Sequence, residues 1–169
     1  MGAVGELVSG SPEATGAIGE ALASWVAPGD VVLLRGEVGA GKTTLVRAVA
    51  RGLGIDGPVT SPTFTLAQRY AGRLGLLHID AYRLSGADDE ELGLLLDGAA
   101  DAVTFIEWPE ALAAGLPEAA VTVDLEHLGG HRRLVRFSSD DPRAADLGRI
   151  LDDLRARHID DEPEPGPRP

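Results

Sequence analysis

The chain contains no cysteine, which excludes a disulfide scaffold and any thiolate metal site and fits a reducing compartment. Asparagine is missing as well, and with it the Asn-Lys-x-Asp segment on which guanine-selective GTPases rely; no Asp-x-x-Gly follows a strand. Long apolar runs do not occur. The densest, Val31–Leu34, has the length of a strand rather than a membrane span. Residues 1–10 lack the basic and apolar regions of a signal peptide, so the expected location is the cytoplasm. Positive charge is scarce, with 15 Lys+Arg against 27 Asp+Glu and a net charge of −12. A surface that grips nucleic acid needs a basic footprint, and Arg132, Arg133 and Arg136 form the one small cluster. Tight direct nucleic-acid binding is therefore not expected, nor is membrane binding. Partners that bring their own positive charge are.

Lys42 is the only lysine among those 15 basic residues. A single compact ammonium, kept where every other basic residue is a planar guanidinium, points to chemistry that distinguishes the two. With 169 residues, 44% of them apolar, the chain is one domain's worth. Residues 1–158 are expected to form a single P-loop ATPase domain, and 159–169, acidic and rich in proline, a disordered tail.

The spacing of Ala14, Ala17, Ile18, Ala21, Leu22 and Trp25 predicts a helix over about Glu13–Val26, followed by the turn Pro28-Gly29-Asp30 and a buried-type strand at Val31–Leu34. A helix beginning at Lys42 places Leu45, Val46, Val49 and Leu53 on one side and stops at Gly54. Strands are predicted at Thr63–Tyr70, Leu74–Asp80 and Val103–Ile106, with a short helix at Glu90–Leu96. Trp108–Ala114 is expected to start as a helix with Pro109 in its first turn. Val121–Leu125 and Leu134–Phe137 read as a hairpin across Gly129-Gly130, and Leu147, Ile150, Leu151 and Leu154 as a last helix. The class is α/β: a three-layer, P-loop NTPase-like fold with a mixed sheet flanked by helices and an antiparallel C-terminal hairpin.

Gly36-Glu-Val-Gly-Ala-Gly-Lys-Thr-Thr44 fits G-x-x-x-x-G-K-[ST], with a buried strand leading in and an amphipathic helix leading out. Glycines at 36, 39 and 41 let successive N–H groups converge as an anion nest, and the helix N-terminus adds roughly half a positive charge. Glu37, Val38, Gly39, Ala40, Gly41, Lys42, Thr43 and Thr44 are the expected ATP-binding residues, with Lys42 on the β- and γ-phosphates and the Thr43 hydroxyl on Mg²⁺.

Such a loop needs an acid from a neighbouring strand. Asp80 and Glu107 both end apolar β-type runs, where strand ends of a parallel sheet face the ligand crevice; spacing does not choose between them. Pro58–Leu66, with its threonines and serine, reads equally as a segment that senses the γ-phosphate or as a stiff connection. His78 could ligate a metal or shuttle a proton, but a lone histidine in a strand is more often structural; Trp108 reads as core.

These blocks together resemble the TsaE (formerly YjeE) family, the small ATPase subunit of the bacterial tRNA threonylcarbamoyladenosine machinery. The resemblance rests on 36–44, Val-Thr-Ser-Pro-Thr-Phe-Thr-Leu at 59–66, His-Ile-Asp-Ala-Tyr-Arg-Leu at 78–84, Glu90-Glu91-Leu92-Gly93 and Ile-Glu-Trp-Pro at 106–109. It implies an ATPase, weak alone, that works with TsaD and TsaB while they install threonylcarbamoyl on the adenosine 3′ of the anticodon. By position it implies that Thr43 and Glu107 hold Mg²⁺, that Asp80 and Glu107 are the catalytic acids, and that Trp108 lies beside the site. Residues 60–63 take the switch-like part, and Arg132 and Arg133 approach the nucleotide base. Two other readings of a P-loop remain: a small-molecule kinase, and a nucleotide-gated binding module whose hydrolysis is incidental.

Overall fold

The computed structural model describes residues 1–62, 65–84, 89–97, 99–112 and 116–157. The tail expected at 159–169 lies outside them. Seven strands form one sheet in the order β1-β7-β6-β2-β5-β4-β3. Its centre is β6 (Val121–Gly129), β2 (Val31–Arg35), β5 (Ala102–Glu107) and β4 (Gly75–Asp80), mutually parallel. Antiparallel strands close both sides: β7 (Arg132–Ser139) and β1 (Gly2–Ser9) beyond β6, and β3 (Ala67–Tyr70) beyond β4. Strands buried on both faces read as near-continuous apolar runs. In β2, Val32 and Leu34 enter one core cluster, while Val31 and Leu33 enter the other.

The larger cluster joins the sheet to α1 (Pro12–Trp25), α2 (Lys42–Gly52) and α4 (Ala144–Ala156) through Ile18, Leu22, Leu45, Val49, Leu147 and Leu151. Helix α1 starts where Ser11 Oγ accepts from the Ala14 amide at 3.1 Å, with Pro12 in its first turn. It packs so tightly on α2 that a Cβ on Gly19 would come within 2.5 Å of the Ala48 methyl. The opposite face is covered more thinly: Leu92 of α3 (Asp89–Leu95), Leu84 and Leu112 close over Leu77, Ile79 and Ile106.

Two expectations change, and one strand was not expected at all. β1 carried no clear sequence signal, because its alternation is blurred by glycines and only Leu7 and Ser9 are buried; it is an edge strand held by pairing with β7. The strand expected from Thr63 begins at Ala67: residues 63–64 lie outside the described residues, and the amides of Thr65 and Leu66 turn back to the Pro62 carbonyl at 3.1 and 3.0 Å. The helix expected from Trp108 is a single 3₁₀ turn, Pro109–Ala111. The Trp108 amide is held by the Leu34 carbonyl at 3.2 Å and its backbone is left-handed, so the chain turns instead of propagating a helix.

Arg143, just before α4, ties this helix to the start of β2. Its guanidinium donates to Asp30 Oδ1 at 2.8 Å and Asp141 Oδ2 at 2.7 Å, and lies 4.8 Å from the Trp25 ring. Hydrogen bonding from Arg143 holds the Asp141 carboxyl below the ordinary carboxylate range. A depressed folded-state value means that this stabilisation is complete above the unfolded value of about 4 and is lost as pH falls through the folded one. The difference in urea midpoint between wild type and Arg143→Gln should therefore be constant near neutrality and shrink below about pH 4. A difference unchanged down to the acid limit of folding would assign Arg143 to packing alone.

Candidate functional site

The loop after β2 is shaped by two close approaches. Gly36 has φ +134°, and a Cβ there would sit 2.3 Å from the Leu125 carbonyl oxygen of β6, so the chain can leave the sheet at this point only without a side chain. Beyond it Val38 is exposed at the tip, Ala40 is buried, and Gly39 and Gly41 have φ of +80° and +109°. Gly41 caps α2 with no side-chain hydrogen bond, and no acid lies in the helix's first turn. The first N–H groups and the positive end of the helix dipole are thus left to whatever occupies the cleft.

Lys42, 5% exposed, donates from Nζ to the carbonyls of Gly36 at 2.6 Å and Glu37 at 3.0 Å, and lies 3.7 Å from the centroid of the Trp108 ring. Burial lowers its pKa from the ordinary lysine value, opposed by the charges of Glu107, Glu110 and Asp80. The left-handed Trp108, φ 59° and ψ 48°, is what turns the indole over this ammonium. Such a conformation is uncommon for a bulky residue, and strained backbone of this kind clusters at active sites and ligand clamps.

The acids arrive from the neighbouring parallel strands. Asp80 and Glu107 are register partners at the ends of β4 and β5, and Leu34 pairs with Glu107 on the other side. That register delivers Glu107 to the start of α2, where Thr43 Oγ1 donates to its Oε1 at 3.0 Å. Asp80 accepts from the Tyr82 amide at 3.1 Å. Both acids are buried. With Val38, Gly39, Gly41, Thr43 and Thr44 they line a cleft of about 640 Å³.

Other sequence candidates fall at its margin. Arg133 Nη2 reaches the Gly39 carbonyl at 3.4 Å, whereas Arg132 is exposed on the hairpin. Ser61 lines the cleft; Thr60 bonds Gln68 at 3.3 Å, and Arg47 of α2 holds the Val59 carbonyl at 2.7 Å. Thr63 lies outside the described residues. Sequence reasoning did not single out Tyr82 and Arg83, which also line the cleft, or the role of His78, whose Nε2 meets Glu107 Oε1 at 2.8 Å. Strand alternation was the available signal, since His78 and Asp80 share a face of β4. Among the described residues no group of three or more His, Cys, Asp or Glu forms a metal site; a cation here would be shared with the loop hydroxyl and a ligand.

The Gly36→Ala substitution should lower stability by about 1–3 kcal/mol in urea denaturation, because its methyl group meets backbone rather than a movable side chain. Wild-type stability would contradict the close approach.

The chain has counterparts among known proteins. The family described as threonylcarbamoyl adenosine biosynthesis protein TsaE matches residues 9–135. The tRNA threonylcarbamoyladenosine biosynthesis protein TsaE of Streptomyces coelicolor (strain ATCC BAA-471 / A3(2) / M145) is 44% identical over 118 residues, covering 67% of this chain and 79% of the relative. Its namesake from Treponema pallidum (strain Nichols) is 42% identical, covering 75% and 94%. That from Bacillus subtilis (strain 168) is 38% identical, covering 76% and 82%. The crystal structure of Bacillus subtilis YdiB superposes with a TM-score of 0.70 at 30% identity, covering 90% of this chain and 94% of that one. The matched span runs from the end of β1 into β7, through the glycine loop, both acids and Trp108, and the chain belongs to the TsaE family.

Proposed function

We propose that this chain binds ATP with Mg²⁺ in the cleft and hydrolyses it in the cytoplasm, as the ATPase subunit that serves threonylcarbamoyladenosine formation in tRNA beside the TsaB and TsaD proteins. The observation that carries the reading is the bond from Thr43, the second residue of α2, to Glu107 at the end of β5. A hydroxyl and a carboxylate meet there beside an uncapped helix N-terminus and a buried lysine. Two buried carboxylates beside a triphosphate would repel it unless a divalent cation sat between them, so the donor set fits Mg²⁺. When bound, the cation would neutralise charge on the phosphate oxygens. Thr43 and Glu107 would hold it.

The chain's own residues supply the rest. Gly39, Gly41 and the first amides of α2 cradle the phosphates. Lys42 exchanges its loop carbonyls for the β- and γ-phosphate oxygens. Asp80 orients the water that attacks the γ-phosphorus, the bond to the bridging oxygen breaks, and ADP and phosphate leave. Family membership supports the role in tRNA modification. The net charge of −12 suits a subunit that docks on tRNA-handling partners rather than on RNA.

Lys42→Ala should weaken ATP binding at least 100-fold by calorimetry, since no other lysine exists to take its place; unchanged affinity would remove Lys42 from the phosphates. With Mg²⁺ in excess, Glu107→Ala should keep ATP affinity within about tenfold and lower turnover roughly 100-fold. Reconstituted with TsaB and TsaD, that variant should stall tRNA modification after the first turnovers. Sustained modification at the wild-type rate would mean that hydrolysis is incidental.

A further inference from the structure

We infer that His78 is a positioning residue for Glu107, setting which carboxylate oxygen is available to the cation; the inference rests on the ATP–Mg²⁺ reading above. His78 is fully buried, two residues before Asp80 on the same face of β4, and its register partner in β5 is Phe105. Glu107, two residues beyond Phe105, leans back to it, and His78 Nε2 lies 2.8 Å from Glu107 Oε1. The same oxygen also takes the Thr43 hydroxyl at 3.0 Å. Two donors from two different elements therefore hold Oε1, and neither uses Oε2.

The ring's orientation follows from its other nitrogen. His78 Nδ1 is buried with no hydrogen-bond partner among the described residues. A hydrogen there would be a buried donor without an acceptor, at a cost of about 1–3 kcal/mol. On Nε2 it points at a carboxylate. Nε2 is thus the donor, on a ring with no exposed surface.

A residue placed only to fill the core would not need this tautomer, and an apolar side chain in its place would leave the buried Oε1 with one donor in place of two. Partners that orient a metal-binding carboxylate or imidazole through a hydrogen bond typically alter metal affinity 10–100-fold when removed. Thr43 is itself expected to turn toward the cation when ATP is bound, and His78 would then be the donor that remains on Oε1.

The test compares the full-length wild type with His78→Gln, His78→Asn and His78→Phe. The Gln amide nitrogen sits about where Nε2 is, whereas the shorter Asn amide sits near Nδ1 and falls short of Glu107. ATP binding is followed by calorimetry in EDTA and across an Mg²⁺ titration, with a thermal melt to establish that each variant is folded. The expected result is a half-saturating Mg²⁺ concentration raised about tenfold in His78→Asn and His78→Phe, and within about twofold of wild type in His78→Gln. Mg²⁺-free ATP binding should be unchanged in all of them. Should His78→Phe not fold, the Gln and Asn pair decides alone. Equal Mg²⁺ requirements in Gln and Asn, or parallel loss of Mg²⁺-free binding, would overturn the positioning role. If instead wild type itself shows no Mg²⁺-dependent ATP binding, it is the underlying functional reading that fails.

Discussion

The cleft depends on a contact between residues distant in sequence, the 3.0 Å hydrogen bond that joins Thr43 to Glu107. Nothing local could arrange it. It exists because β2 and β5 lie parallel with Leu34 opposite Glu107, and because the Trp108 amide closes onto the Leu34 carbonyl. The loop that begins at Gly36 then has only a short path to bring α2 back over the same strand end. Sheet register, loop conformation and helix position are therefore one constraint seen from three sides. A slip of β5 by one residue would carry Glu107 to the opposite face and leave the Thr43 hydroxyl without its acceptor.

Charge is distributed to match. The surface is acidic, yet the cleft gathers Lys42, Arg83 and the rim residue Arg133 around two buried carboxylates. Lys42 bears a desolvation cost that its neighbours Glu107, Glu110 and Asp80 offset in part. The indole of Trp108 adds a third kind of support, since an aromatic face attracts an ammonium without neutralising it. Tyr82 in turn meets Trp108 with the ring centroids 5.7 Å apart and the planes tilted by 57°, so the residues following β4 and β5 touch one another.

Much of this was legible in the amino-acid order, and the exceptions have physical reasons. The strand–loop–helix around Lys42 was readable because glycine, lysine and an apolar run each report a different requirement at the same place. Asp80 and Glu107 were readable as strand-end acids, but their pairing was not, because register is a long-range property. β1 escaped because an edge strand half open to solvent need not alternate. Trp108 was misread because Pro109 signals a helix start equally well whether one turn follows or four. His78 looked like an ordinary core residue until the diagonal across two parallel strands brought it to Glu107.

The burial of the sole lysine has a practical side. Reagents and enzymes that modify lysine side chains, from acylating probes to acetyl- and ubiquitin-transferring systems, find none on the outer surface of these 169 residues. Their one lysine target is an amine tucked beneath an indole, so covalent labelling at lysine, read apart from the α-amine, would report the accessibility of the cleft itself rather than the background of the fold.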